Sequence, residues 1–298
     1  MKTCLKMKKK TMFLYMLPGL LWYSFIILVP VILAAYYGCF DWSGGVNKVY
    51  IGIDNFINVV KDPVFIKSLV NNIYLTVVCL IGQIGIAFVL AFMLNGRHVR
   101  CKGFHRVMCY FPAVLSAVIV GFIWGLIYDY HYGLVNTILR LLGMADKAQA
   151  WLNNDALVLP LVAIPLIWQY IGYYMIIIMS AIFSVDPQIF EMSEIDGASG
   201  WERAIHITLP LIKNTLIVCV TLCIAGNMKI FDLIYSLTGG GPGNSSSVMA
   251  MYAYKTSFLS YKMGYGSAMS IIILLVSLVL VGGSRTMLLK LTGGNKDE

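Results

Sequence analysis

The sequence predicts an all-α integral membrane protein with six transmembrane helices. Three observations carry this. First, 59% of the 298 residues are hydrophobic and only 12% are charged, where soluble domains hold roughly 45–50% and about 25%. Second, the charges leave six long apolar stretches free. Third, lysine and arginine are distributed unevenly between the connecting loops.

A bilayer core about 30 Å thick needs roughly 20 apolar residues in a helix. Stretches 11–40, 68–96, 107–128 and 156–185 contain no Asp, Glu, Lys or Arg. A fifth runs over 214–228, or to 237 if two charges are tolerated, and a sixth over 263–284. Backbone groups in lipid must be satisfied internally, so each is expected as a helix. Barrel strands of about 10 residues with alternating polarity are not present. The first stretch is too long for a secretory signal and lacks a small-residue cleavage site. It is expected to stay as an anchor.

Orientation follows from the basic residues. With the N-terminus in the cytoplasm, thirteen of them fall on the inner side: Lys2, Lys6, Lys8, Lys9, Lys10, Arg97, Arg100, Lys102, Arg106, Arg203, Arg285, Lys290 and Lys296. Seven fall outside: Lys48, Lys61, Lys67, Arg140, Lys147, Lys255 and Lys262. Both termini are therefore expected in the cytoplasm. The same distribution explains the net charge of +8 without any nucleic-acid partner. The loops of 41–67, 129–155 and 238–262 then face outward, where an external partner can touch them.

Other chemistries are poorly served. No G-x-x-x-x-G-K-[ST] occurs, so no nucleotide is expected on a phosphate loop of this chain. No H-E-x-x-H or G-x-S-x-G occurs, and His98, His105, His131 and His206 all fall outside the spans, which argues against a membrane hydrolase. Ion-driven carriers use internal repeats and acids near the membrane centre; here Asp232 is the only acid in any stretch. The seven cysteines include no C-x-x-C, and only Cys39 lies near the outer face. Cys4 and Cys101 belong to the inner side, and Cys219 with Cys223, one helical turn apart, is expected as small packing residues.

The segment of 184–210 is the most informative. Asp186 before Pro187 is a helix start, an N-cap followed by proline at the first helical position. The helix should run to Ile195 and stop at Asp196-Gly197, glycine being suited to the left-handed position beyond a helix. Ser199 with Glu202 three residues on is a capping box that opens a second short helix. On it Trp201, Ala204 and Ile205 are expected on one face, with Glu202, Arg203 and His206 polar. Pro210 is expected to begin the next span. Downstream, Gly239-Gly240-Gly241-Pro242-Gly243 should end the fifth span.

At these residues the chain resembles the ABC importer permeases. Glu191, Asp196, Gly197, Ala198, Ile207, Leu209 and Pro210 match their EAA loop, with Met192 and Ser193 where the pattern has two alanines. Gly52, Asn55-Phe56, Asp62, Phe65 and Asn72 resemble a segment of the carbohydrate branch. So do Phe231 through Pro242, Tyr252 through Phe258, and Tyr265-Gly266-Ser267-Ala268. The likeness is to the MalF-like subunit, the first of two unlike permeases.

The resemblance implies a type I ABC importer permease fold. Residues 1–67 would form the tail, first helix and external loop; 68–290 the permease core; 291–298 a second cytoplasmic tail. It implies a translocation path shared with a second permease subunit, two copies of a cytoplasmic ABC ATPase that binds the ATP, and an extracytoplasmic substrate-binding protein. The site would be the plasma membrane of a bacterium or archaeon. The chain itself would be a transport subunit and not an enzyme, with lipid as its surroundings and no cofactor of its own. Glu191, Asp196, Gly197, Ala198, Ser199, Leu209 and Pro210 would couple it to the ATPase. Tyr173 and Asn227 fall where related permeases contact sugar, with Trp168 and Gln169 nearby and Lys229 a further residue of the path. Lys229 and Asp232, three apart, are expected to share a helix face and pair. The implied cargo is a sugar or oligosaccharide, with glycerol phosphate or another polyol as the alternative.

Overall fold

The computed structural model describes residues 9–96 and 99–291. Lys2, Lys6, Lys8, Arg97, Lys296, Cys4, His98 and the tail beyond Leu291 lie outside the described residues.

The chain divides into two compact units. One comprises Met1–Asp62 and Ala253–Leu274, the other Pro63–Tyr252 and Leu275–Glu298.

In the first unit α1 (Lys9–Tyr37) is uniformly apolar, and no side chain of its apolar window is buried. Such a helix suits lipid on all sides. It leads into the only β-structure among the described residues, a hairpin of β1 (Phe40–Trp42) and β2 (Lys48–Tyr50), paired antiparallel with Asp41 opposite Val49. The Lys48 ammonium stands over the rings of Tyr36 and Phe40, 4.8 and 5.1 Å from their centroids. Next comes α2 (Asp54–Lys61). Its buried Asn55 donates to the carbonyls of Gly38 and Phe40, both at 2.9 Å.

The second unit holds the core. α3 (Pro63–Cys79) passes through a wide π-helical turn at Leu80–Gly85 into α4 (Ile86–Asn95). α5 (Lys102–Val114) and α6 (Ala117–Ile127) follow, then the short α7 (Leu134–Leu141) and the long α8 (Val158–Phe183). α9 (Pro187–Ile195), α10 (Gly200–Glu202) and α11 (Leu209–Leu211) make up the elbow region, and α12 (Lys213–Met228) and α13 (Asp232–Leu237) complete it. α14 (Met249–Tyr254) and α15 (Met263–Leu291) are each shared between the units. Leu75, Leu166, Met175, Ile178, Cys219, Cys223 and Ile234 are buried at the centre of the second unit. At Gly172 a Cβ would fall on the carbonyl of Cys109, so glycine is what lets α5 lie directly on α8.

Among the described residues four helices are long and apolar enough to cross a membrane, and up to six crossings result if each of two bent pairs counts as one. Those pairs correct the expectation of six unbroken helices. Stretch 107–128 is α5 and α6, which meet at 97° around Leu115-Ser116. Pro112 in the last turn of α5 weakens it there. The second bend, 79°, falls at Ile212. Pro210 therefore sits before the corner, and the span begins at Lys213.

A break in an apolar layer frees backbone groups that water cannot reach. Here side chains from other helices take them up. Gln169 on α8 donates to the Leu115 carbonyl at the α5–α6 corner, 3.0 Å. Pro165 has no N–H, which leaves the Leu161 carbonyl open, and the Tyr128 hydroxyl donates to it at 3.2 Å. Asn72 on α3 donates to the Asn227 carbonyl at the end of α12 (2.9 Å) and accepts from the Met249 amide (2.8 Å).

Candidate functional site

The elbow between α8 and α12 is built from its caps. Asp186 accepts the amide of Gln188 at 3.0 Å, with Pro187 in the first turn of α9. At the other end the amides of Gly197 and Ala198 donate to the carbonyls of Glu194 and Ser193, at 3.2 and 3.0 Å. This double closure needs a left-handed residue, and Gly197 supplies it with φ +76°. Ser199 and Glu202 form the reciprocal capping box. The Ser199 amide donates to the Glu202 carboxylate at 2.8 Å, and the Glu202 amide to the Ser199 hydroxyl at 3.3 Å. Hydrogen bonds to the Glu202 carboxyl from the Ser199 amide, and then from the Ser199 side chain, hold it below its ordinary value.

Sequence reasoning missed two features of the elbow. Arg203 reaches back to Glu194 at 2.6 Å, tying the second arm to the first. And Arg203–Thr208 is π-helical, so the faces differ from a 3.6-residue expectation. Ala204 is buried while Trp201 and Ile205 are exposed. Met192 and Ile195 also point outward, Ile195 at 85% exposure. Glu191 is exposed and has no ion-pair partner among the described residues. It lines a cleft of about 530 Å³ with Phe190, Trp201, Arg203 and the end of α4. Asp196, Ser199, Leu209 and Pro210 are exposed, and Ala198 is half-buried. The elbow thus presents an apolar outer surface with a carboxylate beside it, and none of the described residues covers either.

A second feature lies near the middle of the spans. A cavity of about 450 Å³ is lined by α8, the end of α12 and residues 229–233. Gln169, Tyr170, Tyr173 and Tyr174 give it one helix face. Asn227, Lys229, Phe231 and Asp232 face them, and Gln83 enters from the π-helical turn. Tyr173, Gln169, Asn227 and Lys229 are brought together as the sequence suggested. Trp168 is not among the lining residues; it packs edge-on to Trp124, ring centroids 6.0 Å apart. Gln169 and Asn227 are also structural. The first holds the Leu115 carbonyl, and the second donates to the Cys223 carbonyl at 2.9 Å.

The expected Lys229–Asp232 pair is absent: no ion pair joins them among the described residues. The helix ends at Met228 and restarts at Asp232, with Phe231 at φ −146°, ψ −58°, so three-residue spacing no longer stacks the two. Both charges border the cavity instead. The signal for Gln83 and the tyrosines was available, as a lone glutamine in an apolar stretch and a three-and-four spacing along α8.

A sequence model described as binding-protein-dependent transport system inner membrane component matches residues 10–287. A probable ABC transporter permease protein of Bacillus subtilis, YurN, is 30% identical over 270 residues, 90% of this chain and 92% of that one. The diacetylchitobiose uptake system permease protein NgcF of Streptomyces coelicolor is 30% identical, covering 91% and 80%. Among solved structures, a chain of a bacterial alginate ABC transporter in complex with an alginate pentasaccharide-bound periplasmic protein superposes with TM-score 0.82. It is 24% identical, and 95% of each chain is covered.

Proposed function

The chain belongs to the binding-protein-dependent transport system inner membrane components, the permeases of ABC importers, and from this we propose that it carries a sugar or oligosaccharide through the membrane. It is a multi-pass transport subunit, and ATP hydrolysis belongs to a separate protein. In this reading residues 68–290 form the permease core and pair with a second, unlike permease. Two ATPase copies bind on the elbow side, which is cytoplasmic together with both termini. A substrate-binding protein delivers the cargo from the other side.

The observation that carries this reading is the capped elbow with its uncovered outer surface. Met192, Ile195 and Trp201 supply apolar area for a cleft on the ATPase, and Glu191 a charge for a basic partner. Closure of the ATPase pair then moves the elbow, and α12 with it. Two states of the spans alternate, and the differential affinity of the nucleotide-bound motor for one of them sets the direction. The cavity suits a polyhydroxylated ligand: tyrosine rings give flat faces, and glutamine, asparagine, lysine and aspartate give hydrogen-bonding groups. The similar NgcF is a diacetylchitobiose uptake permease, and the structurally similar chain belongs to an alginate transporter, so both handle saccharides.

The test is uptake of labelled saccharides by proteoliposomes containing both permeases and the ATPase, with the binding protein outside. Gly197→Trp should assemble normally yet lose transport by at least about tenfold, because a side chain at positive φ unsettles the elbow. Normal transport by Gly197→Trp overturns the coupling role. Uptake of glycerol phosphate with no saccharide carried overturns the cargo class.

A further inference from the structure

α7 is built inside out. A helix on a soluble surface turns its apolar stripe to the core. Here the inward residue is Asn136, which is fully buried. Its amide donates to the carbonyls of Tyr130 and Gln149 at 3.1 and 3.0 Å, and its oxygen accepts the Trp151 indole at 2.8 Å. Arg140 secures the same side, donating to the carbonyls of His131 and Tyr130 at 2.8 and 2.9 Å. The opposite face carries Leu134, Ile138, Leu141 and Leu142, spaced as neighbours along one side of a helix. All four are exposed, Leu141 at 82% and Leu142 at 66%. No charge interrupts this stripe.

Its position is equally constrained. α6 ends at Ile127 and α7 starts at Leu134. The intervening residues are drawn into a tight turn in which the Asp129 carboxylate accepts the amides of His131 and Tyr132 at 2.9 and 2.8 Å. The Tyr128 hydroxyl on Leu161 sets this turn beside the start of α8, the end opposite the elbow. The apolar stripe thus begins six residues after α6, the second half of a bent apolar pair on which Phe122 and Leu126 are exposed.

We propose that α7 is an interfacial anchor, with its Leu134, Ile138, Leu141 and Leu142 face seated in the headgroup–acyl boundary of the bilayer at the end of the spans opposite the elbow. The short tether keeps the helix at the membrane edge. The stripe has no polar group to give a protein partner the hydrogen bonds that interfaces carry. The exposed Tyr130 and Tyr132 before it are of the type that collects where bilayer meets water. The buried Asn136 hub then fixes the outer loop to the bilayer, holding the ends of α6 and α8 in register with it. This rests on the chain's crossing the membrane and not on the identity of the cargo.

Spin labels test it in the assembled importer in lipid nanodiscs, with the native Cys4, Cys39, Cys101 and Cys109 replaced by serine. Nitroxides are placed singly at Ile138→Cys, Leu142→Cys and Thr137→Cys, the last at the polar flank of the stripe, about 100° round the helix from Ile138. The ratio of oxygen to nickel-chelate accessibility should be about threefold or more higher at 138 and 142 than at 137, as for a helix lying in the interface. Equal ratios at the three positions overturn the proposal. So does nickel access at 138 and 142 that disappears only when the substrate-binding protein is added, which would make the stripe a protein dock.

Discussion

The elbow and the broken spans are held together by opposite means. In the elbow nearly every fixing contact is local: Asp186 to Gln188, Gly197 to Glu194, Ser199 to Glu202, and at the longest Arg203 to Glu194. In the spans the breaks are closed by side chains far away in sequence: Gln83 on Leu166, Gln169 on Leu115, Asn72 on Asn227. The elbow can therefore keep its shape while it moves as one piece, facing water. The spans cannot shift without exchanging or carrying along bonds that have no solvent replacement.

The largest test of this contrast is Asn72→Leu. It leaves the Met249 amide without its side-chain acceptor and the Asn227 carbonyl with only its backbone donors, and a buried polar group left open costs about 1–3 kcal/mol. Thermal unfolding of the purified importer in detergent should show a clear destabilisation, with the elbow's protease sensitivity unchanged. A stable Asn72→Leu protein would break the comparison at its stronger half. Tyr128→Phe removes one hydroxyl from the Leu161 carbonyl beside Pro165. Its expected cost is about 0.5–1.5 kcal/mol in the same assay.

The elbow pair should matter less for stability. Glu194 and Arg203 are partly exposed, and such pairs contribute about 0.2–1 kcal/mol. A double-mutant cycle of Glu194→Gln and Arg203→Met should return a coupling in that range, read from unfolding of the importer. A larger value would mean that the elbow leans on this bridge rather than on its caps. The smallest effect is one of pH. Glu202 titrates below its ordinary value of 4.5 because it accepts the Ser199 amide and hydroxyl. A depressed carboxyl contributes above the ordinary range and loses its contribution as pH falls through the lowered value. Amide exchange across 199–203 should be slower in wild type than in Glu202→Gln at neutral pH, and the two should converge as pH falls below about 4.5. A difference that persists unchanged at low pH would show the box serving something other than capping.

The same contrast explains what the sequence made legible. Caps are patterns of three to six residues, so Asp186-Pro187, Asp196-Gly197 and Ser199 with Glu202 could be placed before any coordinates. Apolar length located the four long spans and both bent pairs, because lipid imposes it. The corner at Leu115-Ser116 escaped notice because Pro112, its one local mark, is equally at home in a merely kinked helix; what satisfies the freed Leu115 carbonyl is Gln169, fifty-four positions on. The Lys229–Asp232 pairing failed for a related reason. It assumed a continuous helix, whereas the chain is interrupted at 229–231, where the Asn227 carbonyl accepts the distant Asn72 side chain as well as the Ile230 amide. The π-helical register of Arg203–Thr208 has no local signature that separates it from an ordinary turn, so the outward faces of Trp201 and Ile205 were misjudged.

The corner at Ile212 gives the elbow and α12 the form of a bell crank. The arm from Gly200 to Leu211 is about 18 Å long and α12 about 24 Å, at 1.5 Å per residue. The two meet at 79°, and the corner is braced by the amides of Ile212 and Leu216 on the carbonyls of Thr208 and Ile212. If the elbow is where the proposed ATPase pushes, a sideways shove at the short arm would emerge, turned through nearly a right angle, as a swing at Asn227 and Lys229, with a stroke roughly a third larger than the one applied.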